Sequence, residues 1–313
     1  MPNHYLRNFF SFRFANSRKN TYIFNNKHKL GIYQIKLMKK RDRQQEYKHM
    51  NAFKKKRLEQ LIKKPLPVAW QKIITENVPY SRCLPPGFQK IYHGLIRMFL
   101  EEKHFEGCDG LRITDEIRLT IAAQACILLL GQAVGSRKLD LYPKLSSILV
   151  YPHAYVAHRS QRFTDGIVTE SEEIRIGETW SKGSLVLAWD DVRQSAFDIH
   201  DGHNVVFHEF AHQLDYESGA AEGTPRLTNR SSYIAWARVL GREYEMLVND
   251  IAHHRKTLLD DYGATNPAEF FAVTTEFFFE KPIQIKKRHP ELYEQLKLFY
   301  NQDPASFLPS CEK

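Results

Sequence analysis

At 313 residues, with 42% hydrophobic and 26% charged side chains, the chain is long enough to bury a sizeable core and has the composition of an ordinary globular protein. Its most apolar run, around Leu119–Leu130, is broken by Thr120 and Gln124 and falls short of the roughly 18 apolar residues that a bilayer span needs, so no membrane helix is predicted. The net charge of +9 is uneven: residues 1–64 hold 18 of the 45 lysines and arginines and 3 of the 36 acids, which leaves 27 basic and 33 acidic side chains to residues 65–313 and gives that part no general reason to bind nucleic acid.

Residues 1–64 read as a basic, flexible extension, with no acid before Asp42 and an abundance of Asn, Phe, Lys and Arg. A basic helix fits residues 36–57 and is densest at Lys54-Lys55-Lys56-Arg57; any nucleic-acid contact is expected only through this segment. Met38 would serve as an alternative start. The opening stretch, Met1–Phe14, lacks a compact apolar run followed by a small-residue cleavage site, so no secretion signal is predicted. The four cysteines, Cys83, Cys108, Cys126 and Cys311, form neither a CxxC pair nor a disulfide scaffold. A reducing compartment fits them, and the cytoplasm is the expected location.

Pro65 and Pro67 mark the entry to the folded part, taken as residues 65–313. Trp70 to Phe105 carries helical spacing through Ile73, Ile74, Leu95, Ile96, Phe99 and Leu100. Thr114 is a predicted N-cap, with Asp115 and Glu116 in the first turn of a helix reaching about Leu130, where Gly131 and Gly135 are expected to stop it. The period then changes: 147–151, 173–176 and 185–189 are short and β-like between turn residues. The last of these either offers an edge for an extended peptide or is a plain core strand. After Asp201-Gly202 the pattern is helical again, so the fold class predicted is α+β with a small sheet.

The helical segment after Gly202 contains His208-Glu209-Phe210-Ala211-His212. Two histidines at i and i+4 share a helical face and can converge on one cation, while the glutamate between them points about a quarter-turn away and can serve a water instead. Val206, Phe210 and Leu214, widened by Phe207, form an apolar stripe that would anchor the helix and leave His208 and His212 facing elsewhere. This is the HExxH pattern of zinc peptidases, and it predicts a Zn²⁺ site with Glu209 as general base in a zincin-like domain. His200 and His203 precede the helix and are given no ligand role; His253 and His254 sit in a polar stretch expected to be solvated.

The third ligand is open on spacing. The metzincin pattern, which needs glycine and histidine after the motif, is excluded because Asp215 and Ser218 stand at those positions. A later helix starts at Asn266 and Pro267, and its Glu269 and Glu276 lie seven residues apart on one face. Either could be the ligand, although Asn266-x-x-Glu269 is also a capping-box spacing that would turn Glu269 back on its own helix. Asp215 is a further candidate, and more naturally an acceptor for a ligand imidazole.

The stretch Asp201–Asp215, the run Asn266–Phe271 with Thr275-Glu276-Phe277-Phe278, and the pieces Thr114–Cys126 and Leu185–Val192 resemble the Mlc titration factor A family of bacterial zinc peptidases. The resemblance covers roughly residues 65–305. Tyr262 to Ala272 is also similar to the active-site segment of the anthrax lethal factor catalytic domain. Both resemblances imply Glu269 as third ligand, and the second implies that Tyr262 supports the transition state. The first implies a cytoplasmic, aminopeptidase-like activity on peptides and binding to the glucose repressor Mlc. A rival expectation is a zinc-containing regulator that sequesters such a repressor, in which peptide cleavage is incidental.

Overall fold

Proline sets the first breaks in the fold. The chain is described by a computed structural model at residues 53–134, 140–162, 168–175, 177–180, 183–219 and 221–308, all within one unit, Asn51–Lys313. Helical residues 53–61 (α1) come first. The stretch predicted as helical from Trp70 to Phe105 is then three helices: α2 (Val68–Asn77), α3 (Tyr80–Cys83) and α4 (Pro86–Glu102). Pro67, Pro79 and Pro85 stand immediately before them, where a missing N–H deprives the helix of no internal hydrogen bond. Phe105 lies instead in a strand, β1 (His104–Gly107).

Helix α1 belongs to the segment read from sequence as an extension, yet it packs into the core. Leu58 and Leu61 are buried there. A Cβ on Gly94 of α4 would come within 2.6 Å of the Leu58 and Ile62 side chains, so the glycine allows the close approach. Arg57 donates to Glu101 at 2.9 Å and Lys54 to Glu102 at 3.3 Å, which pairs two charges of the densest basic run. The packing therefore crosses the boundary placed at residue 64, because apolar positions at 58 and 61 find partners on α4. Residues 1–52 lie outside the described residues, and with them Met38 and most of the predicted extension.

Helix α5 (Asp115–Val134) starts as predicted, with Thr114 Oγ1 accepting the Ile117 N–H at 3.3 Å. It does not stop at Gly131. A Cβ there would meet the carbonyl oxygens of Tyr300 and Asn301 at 2.3 and 2.2 Å, so this glycine serves a close crossing and not a helix end. Among the described residues α5 is the helix long and apolar enough to cross a membrane by length and composition, and 78% of its most apolar window is buried inside the protein. It packs against α2, α4 and several later helices.

The sheet has the order β1, β2 (Ser147–Tyr151), β6 (Ser184–Ala188), β5 (Gly177–Trp180). The first three strands run parallel and β5 is antiparallel to β6. A separate antiparallel pair joins β3 (Tyr155–Arg162) to β4 (Val168–Arg175), which contains most of the predicted strand at 173–176. Strand β6 ends one residue earlier than expected, since Trp189 opens α6 (Trp189–Phe197). It is paired on both sides, and Leu185, Val186, Leu187 and Ala188 are all buried, as an interior strand covered on both faces requires. The possibility that it offers an edge is thereby overturned: β5 occupies that edge.

The helices that follow are α7 (Val205–Tyr216), α8 (Arg230–Ala252), α9 (Pro267–Glu280), α10 (Pro282–Arg288) and α11 (Pro290–Tyr300), with a 3₁₀ turn at Asp261–Ala264. The whole is a mostly helical α+β fold. Its core is heavily aromatic, with Phe99, Phe207, Phe210, Phe271, Phe278 and Tyr300 all fully buried. Helix α7 lies against α5, α6, the β5–β6 side of the sheet and α9. Among the described residues, Cys108 and Cys126 are free thiols, the first partly and the second fully buried.

Candidate metal centre

The apolar stripe expected of α7 is present: Val206, Phe207, Phe210 and Leu214 are buried, which fixes the helix and sets the rotation of its polar face. Asn204 caps it, its side-chain oxygen accepting the Phe207 N–H at 2.9 Å. On that polar face His208 and His212 approach each other with their Nε2 atoms 3.2 Å apart. Glu209, one residue on and so about 100° further round the helix, is buried.

The carboxylate facing the two imidazoles belongs to Glu269. Its Oε2 lies 3.0 Å from His208 Nε2 and 3.2 Å from His212 Nε2. Asn266 accepts the N–H groups of Ala268 and Glu269 at 2.9 and 3.0 Å and so starts α9 as predicted. Only half of a capping box is formed, because the Glu269 side chain is directed at the histidines. Glu276, two turns on, meets the other nitrogen of the same ring: its Oε1 is 2.7 Å from His208 Nδ1, and its Oε2 accepts the Asn204 N–H at 2.6 Å.

Asp215 is fully buried but accepts from the Gly223 N–H at 2.6 Å, while its Oδ1 has no partner; it holds neither imidazole. Its effect is mechanical. Gly223, at φ +73°, is so close to α9 that a Cβ would stand 2.2 Å from the Pro267 oxygen, and its own carbonyl accepts from Trp236 Nε1 at 3.0 Å. Asp215 thus clamps the end of α7 to the start of the helix that carries Glu269. Burial pushes the Asp215 carboxyl up to about 6, against the Gly223 and Thr224 amides and His212, which pull it down.

Tyr262 sits in the 3₁₀ turn, whose first amides are capped by Asp260, with Gly263 packed on Leu247 and Val273. Tyr262 is 55% exposed, and its ring centroid is 5.9 Å from that of His208. His203 is exposed and its Nδ1 lies 3.8 Å from Glu276 Oε2. His253 is exposed, with Nδ1 2.7 Å from the Asn249 carbonyl.

The donor set suits a divalent cation. Tetrahedral ligands at roughly 2.0–2.1 Å from zinc stand about 3.3 Å from each other, and the donors of His208, His212 and Glu269 are 3.0–3.2 Å apart. Electrostatics agree. Burial raises the Glu269 carboxyl, but hydrogen bonds from His208 and His212 outweigh it and hold the group down at about 2. Burial lowers His208, but Glu269 and Glu276 overcome that and raise it well above the usual imidazole range. Glu269 and His208 therefore favour a positive charge between them. A cleft of about 740 Å³ between Leu214, Glu217, Trp236 and Phe299 contains none of these groups, so the donor chemistry and not that cavity marks the site.

The structure thus brings His208, His212 and Glu269 together with Tyr262 close by, and separates Glu276 and Asp215 from the donor cluster. Sequence reading missed the support behind it. Asn204 is buried and donates through Nδ2 to Gln124 Oε1 and Glu280 Oε1, both at 3.0 Å, while Glu280 Oε2 accepts the Gly202 N–H at 3.1 Å. The signal for it was present. Glu269, Glu276 and Glu280 are the acids in a helix otherwise apolar over Phe270–Val273 and Phe277–Phe279, and acids at such positions need buried partners.

Comparison with known proteins adds independent information. The model of the glucose-regulated metallo-peptidase M90 family matches residues 50–301. An uncharacterized protein of Synechocystis sp. is 43% identical over 250 residues, which span 79% of this chain and 89% of that protein. The Mlc titration factor A of Pectobacterium atrosepticum is 31% identical over 246 residues, 78% of this chain and 89% of that protein. The protein of the same name in Serratia proteamaculans is 34% identical over 212 residues, covering 67% and 78%.

Proposed function

The chain belongs to the glucose-regulated metallopeptidase family, and on that premise we propose that it hydrolyses peptides with a zinc ion held by His208, His212 and Glu269. The observation that carries this reading is the convergence of two imidazole nitrogens and one carboxylate oxygen at the separations of a tetrahedral site, beside a buried glutamate that is not one of the donors. Zinc, when bound, supplies Lewis-acid polarisation of a carbonyl and a water that loses its proton near neutral pH. Glu209 accepts that proton on its carboxylate and returns it to the nitrogen of the leaving amine. Its place next to His208 puts it beside the donors without joining them. Tyr262 donates its hydroxyl proton in a hydrogen bond to the oxyanion of the tetrahedral intermediate. An extended peptide would add along β5, the sheet edge next to α7. The aminopeptidase-like preference and the cytoplasmic location follow from the resemblance noted in the sequence.

Metal analysis together with hydrolysis of a panel of chromogenic peptides tests this. We expect one zinc per chain, cleavage by the wild type, and in Glu209→Gln an unchanged zinc content with a rate lower by about 10² to 10⁴. Wild-type rates in that variant would reject the general-base role.

The name of the relatives, Mlc titration factor A, favours a second reading, in which the chain sequesters a transcriptional repressor such as Mlc. Glu209→Gln separates the two, since a binding surface does not need a general base. Capture of the repressor by both proteins, with no cleavage of any peptide by the wild type, would select the second reading.

A further inference from the structure

Resting on the reading of His208, His212 and Glu269 as metal ligands, we propose that Glu276 is the positioning residue of this centre: it holds His208 in the tautomer, and at the ring angle, that turns Nε2 toward the metal. An imidazole has two nitrogens, and a neutral ring carries its proton on one of them. In His208 the two face different carboxylates. Nε2 lies against Glu269 Oε2 at 3.0 Å and against His212 Nε2 at 3.2 Å; Nδ1 lies against Glu276 Oε1 at 2.7 Å. A proton on Nδ1, donated to Glu276, leaves the Nε2 lone pair for the cation. Glu276 and Glu269 occupy opposite nitrogens of one ring, so Glu276 does not share the point on which the three donors converge.

Glu276 is itself fixed. Its side chain is 4% exposed, and its second oxygen accepts the Asn204 N–H at 2.6 Å. Asn204 is the N-cap of the helix that carries both histidines. Its Nδ2 is shared among Gln124 of α5, the Ser195 carbonyl of α6 and Glu280 of α9, at 3.0, 3.3 and 3.0 Å. The residue that starts the histidine helix therefore also braces the carboxylate that orients its first histidine. A rotation of α7 relative to α9 would break both contacts together.

The experiment has two arms. Long-range proton–nitrogen NMR on the wild-type protein, metal-free and zinc-loaded, reads the tautomer without any variant having to fold. The expected result is a proton on His208 Nδ1 in both states; a ring without a proton on Nδ1, or zinc on Nδ1, overturns the proposal. Competition with a chromogenic chelator then measures zinc affinity. Glu276→Ala should bind zinc about 10 to 100-fold more weakly, with part of the loss restored in Glu276→Gln, whose amide oxygen can still accept the Nδ1 proton. The cobalt-substituted variants should keep the wild-type coordination number. Unchanged affinity in Glu276→Ala would reduce the residue to a packing role, and a changed coordination number would make it a ligand; either overturns the proposal. Absence of zinc binding in the wild type would instead refute the metal-site reading, while the metal-free tautomer would still decide the orientation.

Discussion

At the residue scale the assignment rests on which carboxylate faces which nitrogen. Glu269 and Glu276 are seven residues apart, two turns of one helix, so helical periodicity places them on one face and cannot choose between them. The choice is made by the height at which α9 crosses α7. Glu269 at the start of α9 meets Nε2 of both histidines, whereas Glu276 meets Nδ1 of one. We therefore expect Glu269→Ala to lose most of its zinc and Glu276→Ala to keep a measurable affinity; equal occupancy of Glu269→Ala and wild type in metal analysis would remove Glu269 from the ligand set. Tyr262→Phe is expected to lower kcat by about 10² to 10³ with zinc bound and KM little changed, because the hydroxyl would act on a charge that exists only in the transition state. Tyr262 is exposed and its ring lies next to that of His208. An unchanged kcat would leave Tyr262 without a catalytic part, and a change confined to KM would make it a substrate contact.

At the scale of elements, glycine and proline had meanings that local pattern could not resolve. Gly131 reads as a helix stop, but α5 runs through it because the chain end of α11 presses on that spot. Gly131→Ala inserts a methyl group against two carbonyl oxygens that belong to backbone and cannot swing aside. The expected result is a destabilisation of about 1–3 kcal/mol, read as a lower urea midpoint at unchanged slope; stability equal to wild type would show that α11 can withdraw freely. Strand β6 illustrates the same limit. Its four consecutive buried apolar residues fit a core strand or a solvent-facing edge equally until its neighbours are known, and pairing with β2 and β5 settles it.

At the scale of the whole molecule the open matter is where the folded unit begins. The charge break at residue 64 is real in composition, but Leu58 and Leu61 bury in the same core as Phe99 and Tyr92. Removing residues 1–37 is expected to leave thermal stability, zinc content and peptide hydrolysis unchanged. Removing residues 1–64 should destabilise the protein, since burying a leucine contributes about 1.5–3 kcal/mol and two are lost. Thermal melts of the two truncations decide this: equal melting temperatures would mean that α1 contributes nothing to the core, and a large loss already in the shorter truncation would mean that residues 1–37 contribute to stability.

The sequence by itself determined what is periodic and local. The HExxH spacing, the apolar stripe of α7, the Asn266 helix start and the Thr114 cap all depend on neighbours within a turn or two, and all are found in the structure. Only the tertiary structure decided what depends on residues distant in the chain. It set Glu269 and not Glu276 beside Nε2, gave Asp215 to Gly223 instead of an imidazole, drew α1 into the core and placed β6 inside the sheet. The physical reason is that a side chain's face follows from helical or strand geometry, whereas its partner follows from the crossing height and angle of two packed elements, which no local pattern encodes.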